Sequence, residues 1–258
     1  MTHAPVETTP HIGIVAGTAE GAALCYRTLC HEAEEFMGRY AHPEITLHTF
    51  SLQSYFDLID HDDWTGVARL LSQSASKLAQ AGADLIICPN NTLHRAYDLL
   101  QSPVPWLHIA AVVSEEAAHR GFHRLGLLGT RAVMENSMYS RYLGEWGIEQ
   151  VIPPAHDRQH IQHIIRHELI SGRLTARARD FLLAIVSRFR SSGCDAVILG
   201  CTELPLILSE ENSPLALLDS TQLLARAALK LVAGHLSPTS HVQVPGHLPV
   251  GITNTQLV

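Results

Sequence analysis

The most constraining feature of the chain is that it matches itself. HIGIVAGT (residues 11–18) pairs with RLGLLGT (124–130), and GADLIICPNN (82–91) with GCDAVILGCT (193–202). Gly13 falls on Gly126 at a separation of 113 residues, and Asp84 on Asp195 at 111. Chance supplies either match readily. Both at nearly one spacing point to a duplicated half, against the plainer reading of ordinary buried strands.

Each matched segment is an apolar run too short for a helix and bounded by turn residues, so it reads as a buried strand. Between the strands lie helical patterns. DWTGVARLLSQSASKLAQAG places Val67, Leu70, Leu71, Leu78 and Ala79 on one face and stops at Gly82. TARARDFLLAIVSRFRSSG holds the equivalent place in the second half and stops at Gly193. EITLHTFSL (44–52) and IEQVIPPA (148–155) read as the second strand of each half. Strand and helix in alternation, with strands apolar throughout, predict an α/β fold: two pseudo-symmetric halves, each a parallel sheet flanked by helices. The expected division is 11–112 plus 221–236 for the N-terminal half and 113–220 for the C-terminal half. The last helical pattern is expected to cross back onto the first half. Residues 237–258, rich in Pro and Gly and free of Asp, Glu, Lys and Arg, read as an extended tail.

Composition narrows the partners. Of 258 residues 17% are charged and the net charge is −7, so no basic face offers itself to nucleic acid. No basic segment with a following apolar run opens the chain, and no apolar run approaches the ~20 residues of a membrane span. A soluble, cytoplasmic protein is expected. The five cysteines are odd in number and form no Cys-x-x-Cys pair, which favours reduced thiols over disulfides or structural zinc. Gly13, Gly17 and Gly21 miss the spacings of both nucleotide-binding loops.

In a parallel sheet the ligand sits beyond the carboxyl ends of the strands, where the matched turns lie. The two halves would set Asn90 and Cys201 on opposite walls of a cleft. Cys201, followed by Thr202, Glu203 and a helical pattern, is expected near helix N-terminal N–H groups that favour thiolate and attract carboxylates. The bland reading is an inert buried thiol, which suits Cys88 and Cys194 better. Thr18, Asn91, Thr92, Thr130 and Thr202 bring donors to the four turns, either as helix caps or as ligand contacts. His94 shares a helical face with Asn90; such a histidine is more often a structural hydrogen bonder than a catalyst. His156, His160, His163 and His167 line one face of a further helix, but no Asp or Glu joins them there, which argues against a metal.

These residues resemble a known family. IGIVAGTAEGAALCYR is similar to the Gly-Gly-Met-Gly-Pro-Glu opening of the aspartate/glutamate racemase superfamily, PNNTLH to its Pro-Cys-Asn-Thr-x-His motif, and LGCTELPLIL to its Gly-Cys-Thr-Glu motif. The similarity runs from about His11 to His235. It implies a homodimer that uses neither pyridoxal phosphate nor metal, binds a small carboxylate or amino acid, and moves the α-proton between two facing cysteines. By position, Cys201 is the second of these cysteines. Thr18, Asn91, Thr92, Thr130 and Thr202 match ligand contacts, His163 falls near a cationic contact, and Arg158, His94 and Glu203 are further candidates. Asn90 stands where the first cysteine belongs, and an amide neither takes nor gives a proton at neutral pH. Three activities fit this pattern: racemisation of an acidic amino acid by a single cysteine, single-thiol decarboxylation or cis–trans isomerisation of a small dicarboxylic acid, and binding without reaction.

Overall fold

The repeat has a physical basis in how each half is nailed together. A computed structural model describes residues 9–234 together with 242 and 243. In the first half β1 (His11–Ala16) lies between β2 (Glu44–Thr49) and β3 (Leu85–Ile87), with β4 (Trp106–Leu107) beyond β3. In the second, β5 (Arg124–Gly129) lies between β6 (Glu149–Val151) and β7 (Ala196–Gly200), with β8 (Ala216–Asp219) beyond β7. All eight run parallel within their sheets, in the same order. A short β9 (Val242–Gln243) adds to β4 antiparallel, so the expected tail starts a strand there; the rest of 237–258 lies outside the described residues.

The two repeated residue types do the same job twice. Asp84 accepts a hydrogen bond from the His11 N–H at 3.0 Å, and Asp195 accepts from His123 and Arg124 N–H at 2.6 and 3.0 Å. Each carboxylate thereby ties the start of one strand to the start of its neighbour. Gly13 and Gly126 let a helix lie close to the sheet. A Cβ on Gly13 would meet Leu78 at 3.1 Å, on α4 (Trp64–Gln80); one on Gly126 would meet Phe189 at 2.4 Å, on α9 (Ala176–Ser191).

The second strands are shorter than the sequence suggests. Residues 50–51 leave the sheet and α3 (Leu52–Asp60) follows, while Pro153 and Pro154 end β6 early. Proline cannot donate to the ladder, but it suits the start of a helix, and α8 (Ala155–His167) begins directly after the pair. The expected boundary between residues 112 and 113 falls inside α5 (Ile109–His119). The last helix, α10 (Ser220–Val232), packs on α5 and on α1 (Ala19–Glu32), and Arg226 there holds the Glu32 carboxylate with two hydrogen bonds of 2.7 and 2.8 Å. One apolar cluster continues through both sheets, from Ile12 and Leu29 to Leu127, Leu199 and Leu224. A second, with Val15, Leu71, Ile86 and Trp106, fills the space under α4. Among the described residues no helix is long and apolar enough to cross a membrane.

Candidate active site

Four strands end against a single cavity. Gly17 and Thr18 follow β1, the 88–92 turn follows β3, Thr130 follows β5, and the 201–203 turn follows β7. The cavity is about 80 Å3. Of the candidates named from the sequence, Thr18, Asn90, Asn91, Thr92, Thr130, Cys201, Thr202 and Glu203 line it. Both members of the Asn90–Cys201 pair are therefore on its surface.

Two hydroxyl pairs stitch the halves across this space. Thr18 and Thr202 meet at 3.3 Å between their Oγ1 atoms, and Thr92 and Thr130 at 3.0 Å. Thr18 and Thr130 also accept from the first turns of α1 and of α6 (Arg131–Met134), at Gly21 and Val133 N–H. The caps and the lining are thus the same residues.

Asn90 is held by local geometry. Its Oδ1 accepts from Leu93 N–H at 3.1 Å, capping the 3-10 turn Leu93–Leu99. Its amide nitrogen is turned towards Gly17, where any Cβ would stand 2.4 Å from Nδ2. Glycine at 17 is what lets Asn90 adopt this position. Asn91 is more committed than the sequence suggests: Oδ1 accepts from Tyr139 OH at 2.6 Å and Nδ2 donates to Ser220 Oγ at 2.8 Å. Its side chain clasps the second half, with an amide N–H given to Ser220 instead of to a ligand.

The electrostatics at Cys201 run opposite to the sequence expectation. The helical pattern after Cys201 forms only the 3-10 turn Leu204–Leu206, too short to carry a strong axial field. Burial, and then the Glu203 carboxylate beside it, push the thiol well above its ordinary range; N–H groups of Glu203 and Thr202 offset part of this. Sγ donates to Glu203 Oε2 at 3.0 Å, so the resting sulfur is a thiol. Glu203 is itself 2% exposed, and its Oε1 has no hydrogen-bond partner. Cys88 and Cys194 are buried, and desolvation raises both thiols, Cys88 to about 12.

Three candidates lie off the cavity. His94 sits behind the turn, donating from Nδ1 to the Asn90 carbonyl at 3.0 Å, and burial pushes it down to about 4. It therefore shapes the turn as a neutral ring packed against His108, 4.9 Å between centroids. His163 is exposed on α8 with its ring 4.6 Å from that of His167. Arg158 is turned away by Glu135, at 2.9 Å from Nε, and by the Pro153 carbonyl, at 2.7 Å from Nη1. The cation that does line the cavity is Arg166, with Gln162 and Ile165 from the same helix. Residues 162, 165 and 166 share one helical face, a spacing that could have singled them out. The opposite wall comes from α3, where Leu52, Tyr55, Phe56 and Ile59 recur at helical spacing. Among the described residues no group of three His, Cys, Asp or Glu could hold a metal ion.

Comparison with known proteins is consistent with this architecture. The family model for Asp/Glu/Hydantoin racemase matches residues 18–228. The broad specificity amino-acid racemase RacX of Bacillus subtilis (strain 168) is 26% identical over 199 residues, which is 76% of this chain and 85% of that protein. The crystal structure of an aspartate racemase homologue from Pyrococcus horikoshii OT3 superposes with a TM-score of 0.75 at 31% identity, covering 86% of this chain and 99% of that one. Glutamate racemase from Francisella tularensis subsp. tularensis SCHU S4, solved with D-glutamate, shares the fold at a TM-score of 0.62 and 15% identity, over 92% of this chain and 86% of that one.

Proposed function

Since the chain belongs to the Asp/Glu/Hydantoin racemase family, we propose that it racemises a small amino acid by exchanging the α-proton through one cysteine, Cys201. The observation that carries this reading is that Cys201 and Asn90 line the same small cavity, at the ends of equivalent strands. A thiol can exchange a proton with the α-carbon from one face. Asn90 cannot do so from the other, and water held by its amide N–H serves there instead.

Glu203 gives the thiol its second state. Transfer of the Sγ proton to Oε2 leaves a thiolate beside a neutral carboxyl, and the thiolate then takes the α-proton. Protonation of the carbanion from the opposite face by water completes the inversion. The hydroxide so formed takes up the Glu203 proton, restoring the carboxylate. The Thr18–Thr202 and Thr92–Thr130 hydroxyls supply neutral donors for the α-carboxylate. A buried carboxylate with a spare oxygen favours a ligand bearing an ammonium group, which sets an amino acid ahead of a dicarboxylic acid. The homodimer implied by the resemblance belongs to the proposal as well; the acidic side chain that it also implies is not carried over.

The test is proton NMR in heavy water over a panel of amino acids. Loss of an α-proton signal is expected for wild type, and Cys201→Ala should abolish it; exchange retained by that variant would remove the assignment. Asn90→Cys restores an acid–base group to the second face and should raise two-way turnover. Carbon dioxide from substituted malonates, or fumarate from maleate, would instead select the single-thiol lyase or isomerase. Binding with no exchange on any compound would select the non-catalytic binder.

A further inference from the structure

One residue of the cavity wall, Arg166, takes part in an ion pair that joins the two halves. Arg166 on α8 donates from Nη2 to Asp60 Oδ1 of α3 at 2.7 Å, and its guanidinium carbon lies 4.7 Å from the centroid of the Phe56 ring. Among the described residues that line the cavity, Arg166 is the sole Lys, Arg or His. Its charge is paired with Asp60, and apart from Gln162 the lining residues of α3 and of 162–170 are mostly apolar: Phe56 and Ile59 from one half, Ile165 and Ile170 from the other. A second carboxylate brought here would leave water for a wall without a free cation, beside the Asp60 carboxylate. An apolar side chain would lose nothing by the same move.

Asp60 has no local reason to be acidic. It is the last residue of α3, where the helix field disfavours negative charge. Its partner across the halves supplies the reason.

We propose that the Asp60–Arg166 pair sets the side-chain selectivity of the cavity, admitting amino acids with uncharged, apolar side chains over aspartate and glutamate. This rests on the reading that the cavity binds an amino acid, and it departs from the acidic substrate implied by the family resemblance. With Asp60 in place the charge at this wall is paired; without it, Arg166 is a free cation suited to a second carboxylate.

Binding tests this independently of turnover. Isothermal titration of the full-length protein with leucine, methionine, aspartate and glutamate should show tighter binding of the first two. Asp60→Asn removes a charge from a half-exposed helix end, so the fold should tolerate it. It should shift relative affinity towards aspartate and glutamate by about fivefold, the scale of an exposed ion pair. Aspartate binding wild type as tightly as leucine, or an unchanged ratio in Asp60→Asn, would overturn the proposal. The same four compounds followed by α-proton exchange separate the two readings. The predicted preference without exchange removes the racemase and keeps the selectivity. Exchange favouring aspartate keeps the racemase and removes the selectivity, and no binding of any of the four removes both.

Discussion

Cys201 shows how one neighbour decides the state of a reactive group. A sulfur at a strand end looks activated when only the chain order is known, because the following residues suggest a helix. In the folded protein the nearest charged group is the Glu203 carboxylate, 3.0 Å from Sγ, which together with burial holds the proton on sulfur. Alkylation of Cys201 by iodoacetamide is therefore expected to be slow at neutral pH and to climb well above the usual thiol range near pH ~8.5. Glu203→Gln removes the negative charge, lowers the thiol pKa and should speed alkylation at neutral pH. Peptide mass spectrometry of the Cys201 fragment reads both, and an unchanged or slower rate in Glu203→Gln would mean the carboxylate does not govern the sulfur. The sign for stability follows from the same shift. A thiol raised on folding contributes stability below its unfolded pKa, and that contribution is lost as pH rises above ~8.5.

At the scale of elements, the turns do more joining than binding. The 88–92 turn carries a cap through Asn90, a histidine brace through His94, and a clasp to the second half through Asn91. Removing the Asn91 amide leaves the Tyr139 hydroxyl buried without its acceptor, so Asn91→Ala should cost about 2 kcal/mol. Urea unfolding measures this. Tyr139→Phe is the control, and the double variant should lose less than the sum of the two singles, because they share one bond. A loss below about 0.5 kcal/mol for Asn91→Ala would show that the clasp carries no load. Elements of this kind are only half legible in the chain. The strands, the capping threonines and the α4 and α9 patterns can be read from short-range periodicity. The partners of Asn91 cannot, because Tyr139 and Ser220 lie 48 and 129 residues away. The same distance effect hid Arg166, whose identity as a cavity cation depends on Asp60 and Phe56, 106 and 110 residues earlier.

For the whole molecule, the duplicated halves share one apolar cluster that runs through both sheets, beside a second under α4 of the first half. Ile12, Leu107, Leu127, Leu199 and Leu224 belong to a single apolar cluster, and α5 and α10 pack together across the division drawn from sequence. Thermal unfolding should accordingly be one transition, with equal calorimetric and van't Hoff enthalpies; two resolved transitions would mean the halves are independent. The α/β alternation, the repeat and the placing of Asn90 and Cys201 at the ends of equivalent strands were legible in the chain alone. Those depend on residues close in the chain, or on a duplication that preserves spacing. The tertiary structure alone decided that Cys201 rests as a thiol, that Asn91 is a clasp, and that Arg166 rather than His163 or Arg158 faces the cavity. Each of these depends on which side chains two helices or two halves bring together, and the periodicity of one helix says nothing about the charge on the next.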